Sequence, residues 1–181
     1  MEFHDIDKLF AVMYNIFVQS WETTKNEVNM IIGFTGHSFI SSKEKVKEKV
    51  KEQICKNITN SERITFYLGG YGEFDEICAE VCRKLKREYA NIELVYVTPY
   101  ITLSEQAKIK EMQILGLYDT SLYPPIESTP LRFAISKRNQ WMMANVDLVI
   151  AYVSHSYGGA YKSLQAAKSK KKKIINICDF I

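Results

Sequence analysis

Two histidines, a pair of carboxylates and one arginine are the side chains of this 181-residue sequence whose type and placement could do chemistry: His37, His155, Asp75, Glu76 and Arg138. The first four stand close to glycines that follow apolar, strand-like runs. Six of the eight glycines are placed this way: Gly36 after residues 30–35, Gly69, Gly70 and Gly72 after 64–68, and Gly158 and Gly159 after 148–153. Glycine permits positive φ and close backbone approach. A loop entering a helix also presents unpaired N–H groups at the positive end of the helix dipole. Several such loops along one edge of a parallel sheet describe a phosphate-binding crevice.

Each side chain has a second reading. A lone histidine is more often a hydrogen-bonded structural residue, but His37 and His155 are expected at adjacent strand ends, within reach of one ligand. No cysteine or carboxylate shows ligand spacing with them, so no metal is expected. Asp75 and Glu76, with Glu73, crowd the first turn of the helix after the second glycine loop, where negative charge favours the dipole. A carboxylate beside an anion-binding loop can equally hold ribose hydroxyls or act as an acid or base. Arg138 falls three or four positions from Ala134, Ile135, Trp141 and Met142, which sets a guanidinium on an apolar helical stripe. Buried there, it needs either a carboxylate, Asp75 or Asp147, or the phosphate of a ligand.

The elements that must position these groups alternate from Met30 onward, which favours a parallel sheet covered on both faces. Strands are expected at 30–35, 64–68, 92–97, 148–153 and 174–177. Ser41 and Glu44 suit a capping box ahead of a helix whose apolar stripe is Val46, Val50, Ile54 and Ile58. Phe74, Ile77, Cys78, Val81 and Leu85 line the core side of the next helix. A long connection follows strand three; within it residues 104–115 form a helix closed by Gly116, 118–130 are irregular, and the whole is a candidate lid. Helices at 132–145 and 158–169 complete the pattern. Right-handed crossovers favour the strand order 3-2-1-4-5, which brings the first and last glycine loops side by side with the 69–72 loop flanking them. The fold class expected is therefore α/β: a Rossmann-like three-layer fold of about five mainly parallel strands with helices on both faces.

Composition supports one such domain, since the chain is 46% apolar and 25% charged. A formal charge of +3 does not demand nucleic acid or anionic membrane as partner. The four cysteines form no CxxC pair, and with no secretory signal ahead of them the expectation is a reduced, cytoplasmic protein. No apolar run approaches the ~20 residues needed to cross a bilayer. Residues 1–29 stand apart as an N-terminal amphipathic helical extension to the 30–181 domain, with Ile6, Leu9, Phe10, Met13, Tyr14, Phe17 and Trp21 at helical spacing. That stripe suits docking on the domain or on a sister subunit, so a homo-oligomer is left open. The lysine run at 170–173 reads as an exposed turn.

GFTGH at 33–37, GGYGEFD at 69–75, TPY at 98–100, YP at 123–124, AISKRNQWM at 134–142 and DLVIAYVSHSYGGAYKSLQAAK at 147–168 together resemble the YpsA-like branch of the SLOG superfamily. That superfamily also holds the DNA-processing protein DprA and the LOG cytokinin-activating enzymes. The resemblance covers residues 30–178. It implies a Rossmann-like domain that binds nucleotides or derivatives of the ADP-ribose, NAD or nucleoside-phosphate type, with no defined reaction. LOG enzymes hydrolyse nucleotide 5′-monophosphates through a PGGxGTxxE motif; Gly69, Gly70, Gly72 and Glu76 align with it, but Leu68 replaces the proline and Glu73 the threonine. The added carboxylate should repel a phosphate placed as in LOG enzymes. DprA binds single-stranded DNA, for which this chain shows no aromatic and basic stripe, so nucleic acid is not the expected partner.

The leading expectation is a binder of a small nucleotide-derived ligand, acting as a sensor or accessory module, with no other cofactor and no membrane partner. Gly36, Gly70, Gly72, Gly158 and Gly159 would cradle phosphate and Ser156 would donate to it. Asp75 would hold ribose, Tyr71 or Tyr157 would stack on a base, and His37, Gly69, Arg138 and His155 complete the expected ligand set. One alternative is N-glycosidic hydrolysis with Asp75, Glu76 or His155 as acid or base. The other is nucleic-acid binding through Lys168 and Lys170 to Lys173.

Overall fold

The computed structural model describes residues 29–58 and 63–180; the amphipathic pattern expected over 1–29 lies, except for Asn29, outside them. Short runs rich in β-branched and aromatic residues form β1 (Asn29–Gly36), β2 (Arg63–Leu68), β3 (Ile92–Val97), β4 (Thr120–Leu122), β5 (Leu148–Tyr152) and β6 (Lys173–Asn176). Between them lie α1 (Lys43–Asn57), α2 (Glu73–Glu88), α3 (Leu103–Ile114), α4 (Ala134–Ala144) and α5 (Gly158–Ser169). The strands make one six-stranded sheet in the order β4-β3-β2-β1-β5-β6, every pairing parallel. This is a Rossmann-like α/β fold. Without β4 the order is the one expected; β4 extends the sheet beyond β3.

Residues 120–122 were expected to be irregular, and three residues are too few to carry a period. Tertiary bonds make the strand instead. The Leu94 N–H donates to Asp119 Oδ2 at 2.7 Å and the Thr98 N–H donates to the Leu122 carbonyl at 2.9 Å, which lays the segment along β3. The expected capping box at Ser41 and Glu44 does not form either. Ser42 is the N-cap of α1 and makes no side-chain bond to it; Glu73, from the start of α2, accepts the Ile40 N–H at 2.7 Å and pairs with Lys43 at 2.6 Å.

Alternation along the strands divides the core in two. Ile32 and Phe34 of β1 join Phe66, Leu94 and Ile150 beneath Val46, Val50 and Ile54 of α1 and Phe74, Ile77, Val81 and Leu85 of α2. On the other face Val95, Val149 and Ala151 pack with Met142 and Met143 of α4 and Leu164 and Ala167 of α5. Gly33 faces this second layer, where a Cβ would stand 2.9 Å from both Met143 and Val146. Its bare Cα lets α4 lie close on β1. α3 buries no residue. No helix among the described residues is long and apolar enough to cross a membrane.

Candidate functional site

β1 and β5 pair at the centre of the sheet, from Ile32 opposite Leu148 to Gly36 opposite Tyr152, and their chains then leave toward opposite faces. This is the switch point of the fold, where open parallel sheets form crevices at their carboxyl edge. A hollow of about 400 Å³ lies there. Thr35, Gly36, His37 and Ser38 line it from β1, Tyr71 and Asp75 from the entry to α2, Ile135 and Asn139 from α4, and His155, Tyr157, Gly158, Gly159 and Ala160 from the start of α5. The 98–130 excursion contributes none of this lining; its residues Lys108, Met112 and Tyr118 border instead a smaller hollow that shares Gly70 and Asp75.

Helix α5 opens on this hollow without a side-chain cap. The N–H groups of Gly158, Gly159 and Ala160 have no acceptor among the described residues. Orphan donors at the positive end of a helix form an anion site of the kind expected from the glycines. Glu73 is turned away from it, engaged by Lys43 and the Ile40 N–H. The repulsion expected of that carboxylate therefore acts away from the hollow.

His37 and His155 meet as expected, but as a stack: their ring centroids are 3.9 Å apart at 3°. Tyr157 continues the column at 4.0 Å from His155 and is 70% exposed. His37 Nε2 accepts the Ser154 N–H at 2.9 Å, which leaves its proton on Nδ1. Burial first, and then the neighbouring His155, lower the His37 pKa and keep the ring neutral near pH 7. Among the described residues no three His, Cys, Asp or Glu side chains gather to hold a metal.

Asp75 accepts the Tyr71 N–H through Oδ2 at 3.0 Å. Burial raises its pKa to about 6, against the opposing pull of that bond and of Arg138. The carboxyl thus titrates in a range useful to acid–base chemistry. Arg138 is fully buried at 0% exposure, and its guanidinium lies 5.2 Å above the Tyr71 ring. A Cβ on Gly69 would overlap both Arg138 Nη1 and Asp75 Oδ2, so this glycine makes room for the two groups. No hydrogen bond closes between them: Arg138 Nε, Nη1 and Nη2 all lack hydrogen-bond partners, and Asp75 acts on the guanidinium through space, as the strongest of the neighbours that hold its charge against burial. Asp147, the other expected partner, accepts the Ile31 N–H at 2.8 Å at the opposite edge of the sheet.

Several expected ligand residues lie outside the hollow. Gly69 is buried behind the wall, Gly70 packs on Tyr96 and Gly72 on Ser38. Ser156 is exposed and does not line the hollow, and Glu76 is exposed and borders two smaller hollows instead. Conversely, Thr35, Ser38, Ile135, Asn139 and Ala160 line the crevice without having been singled out. Ile135 and Asn139 are i and i+4 on α4, so their shared face follows from the helical period; which hollow that face meets does not.

No protein-family model and no curated protein matches the sequence. Among solved structures, DNA processing protein A from Streptococcus pneumoniae aligns with 81% of this chain and 49% of its own length, at TM-score 0.55 and 16% identity. DNA processing protein A from Helicobacter pylori, described for its single-stranded DNA binding mode, aligns with 80% of this chain and 63% of its own length, at TM-score 0.52 and 17% identity. The molybdenum cofactor carrier protein of Chlamydomonas reinhardtii aligns with 81% of this chain and 74% of its own length, at TM-score 0.47 and 14% identity. The chain thus spans less than two-thirds of either DNA processing protein, and what it shares with them is the Rossmann-like fold.

Proposed function

We propose that the crevice binds a nucleotide-derived ligand of the ADP-ribose, NAD or nucleoside-phosphate class, and that the domain is a sensor or accessory module of the YpsA-like kind. The observation that carries this reading is the uncapped start of α5 opening into a hollow of about 400 Å³. That size lies within the about 300–1,000 Å³ of small-molecule sites. Among the described residues no lysine or arginine lines the hollow, so a phosphate there is held by oriented N–H groups and the helix dipole. Gly158 and Gly159 supply these donors, with Gly36 opposite. Asp75 is placed to accept a ribose hydroxyl. The free face of Tyr157, at the end of the histidine column, offers a base a stacking partner, and Tyr71 offers one from the other wall.

Calorimetry and thermal melting with ADP-ribose, NAD and AMP test this. A ligand present at 100 times its Kd should stabilise the fold by about 2.7 kcal/mol. Absence of heat and of any melting shift for all three removes the proposal. Chromatography of the same mixtures tests hydrolysis, a reading favoured by the Asp75 pKa of about 6; released base or ribose phosphate would make the module an enzyme. Single-stranded DNA is a further reading, supported by the fold shared with the DNA processing proteins and by exposed aromatics on the loops after β1 and β5, Phe39 at 76% and Tyr157 at 70%. It requires salt-dependent binding of an oligonucleotide, measured by fluorescence anisotropy, that ADP-ribose competes away.

A further inference from the structure

Among the described residues, the buried side-chain polar atoms without a hydrogen-bond partner are Nε, Nη1 and Nη2 of Arg138 and Oδ1 of Asn139. They belong to two consecutive residues of α4. Asn139 lines the crevice, while Arg138 lies directly behind two other lining residues, Tyr71 and Asp75. Buried polar groups are normally satisfied, and a buried guanidinium without partners is strongly unfavourable. All of this unmet capacity is concentrated at one wall of one hollow. Asp75 accepts the Tyr71 N–H through Oδ2 and acts on the arginine through space only, with no hydrogen bond to it.

The geometry points to Arg138 as the receptor for a second anionic group of the crevice's ligand, with Asn139 Oδ1 accepting a neighbouring hydroxyl or amine N–H. This rests on the nucleotide reading above and narrows it: the ligand carries two phosphoryl groups, one on the amides of α5 and one on the guanidinium. Arg138 is covered by the Tyr71 ring, so the anion takes the place of that ring on the guanidinium. Tyr71 stands between Gly70 and Gly72, whose φ values are 71° and 93°. The loop that carries it is therefore turned on both sides of Tyr71 by a backbone that glycine adopts readily and other residues do not. A planar guanidinium suits a phosphoryl group better than the point charge of a lysine, because it donates two parallel N–H bonds.

The test measures adenosine, AMP and ADP-ribose binding to the full chain and to Arg138→Met and Arg138→Lys by calorimetry, together with ligand-free melting. The parent should prefer ADP-ribose to AMP. Arg138→Met should lose about 10- to 100-fold in ADP-ribose affinity and bring it level with AMP, and Arg138→Lys should recover part of the difference. Removing an unpaired buried charge should also raise the ligand-free melting temperature of Arg138→Met by about 2–4 °C. Unchanged ADP-ribose binding by Arg138→Met overturns the assignment while leaving the crevice reading standing. A lower melting temperature with unchanged ADP-ribose affinity also overturns it, because Arg138 then serves packing beneath the Tyr71 ring; should Arg138→Met fail to fold, Arg138→Lys carries the test, and undiminished ADP-ribose affinity in it overturns the assignment. If the parent binds none of the three compounds, the crevice reading falls and takes this inference with it.

Discussion

The loops that follow β2 and β5 are built from the same residue types: glycines, a tyrosine and the first turn of a helix. In the first, the glycines are pressed by their neighbours. Added Cβ atoms would overlap Arg138 and Asp75 at Gly69, stand 2.9 Å from the Tyr96 ring at Gly70, and stand 3.0 Å from the Ser38 Cα at Gly72. In the second, nothing lies within 4 Å of a Cβ built on Gly158 or Gly159. The first loop needs glycine for want of space as well as for its backbone, φ 71° at Gly70 and 93° at Gly72; the second needs it for the backbone alone, φ 84° at Gly158, and stays open to the hollow, where a ligand can approach. A glycine at the end of a strand is thus not in itself a sign of ligand contact, and the space around it decides which role it has.

Substitution at Gly69 puts the packed half of this contrast under the greatest load. Gly69→Ala forces Arg138 or Asp75 out of place and should cost about 2–3 kcal/mol in urea unfolding; an unchanged midpoint would erase the contrast. In the open loop the expected pattern is reversed. Gly159→Leu should leave unfolding within about 0.5 kcal/mol, since among the described residues nothing lies within 4 Å of a Cβ there and the side chain runs into open space, yet weaken ADP-ribose binding at least about tenfold by filling the crevice. Equal losses of stability and affinity there would mean that the loop is packed after all.

Asp75 sharpens the comparison through pH. Its carboxyl pKa is about 6 in the fold against an ordinary 3.8, raised chiefly by burial. Folding therefore favours the protonated form: the stabilising contribution is complete below about pH 4 and is lost as the pH rises through 6. Asp75→Asn, which cannot ionise, should be more stable than the parent by about 1 kcal/mol at pH 7–8, with the difference closing toward pH 4. Melting curves across that range check it, and a gap that widens on acidification would contradict the burial of the carboxyl. The smallest effect is expected at Ser156, exposed and outside the lining of the hollow; Ser156→Ala should leave both melting and ADP-ribose binding unchanged.

Much of the architecture was legible because it depends on short-range patterns. Five strands and the order of their pairing follow from apolar runs separated by helical stripes and from the handedness of crossovers. The stripe on α4 likewise announced that Arg138 would be buried, since its period places the guanidinium among apolar neighbours. β4 was illegible because three exposed or half-exposed residues carry no period and are held by bonds from Leu94 and Thr98. The capping box failed because the N-cap is Ser42, which puts Glu44 at the second helical position, one short of the spacing the box needs. Of the residues expected at the site, Gly36, His37, Tyr71, Asp75, His155, Tyr157, Gly158 and Gly159 line one hollow.

By itself, then, the sequence determined the alternation of elements, the side of the sheet on which loops gather, and the burial of one arginine, because each depends on periodicity and chain direction. Only the tertiary structure decided which glycines are packed and which are open, that the two histidines stack, and that Arg138 lacks a hydrogen-bond partner while Asp75 serves Tyr71. Those outcomes turn on distances of a few ångströms between groups far apart along the chain, and no local pattern encodes such distances.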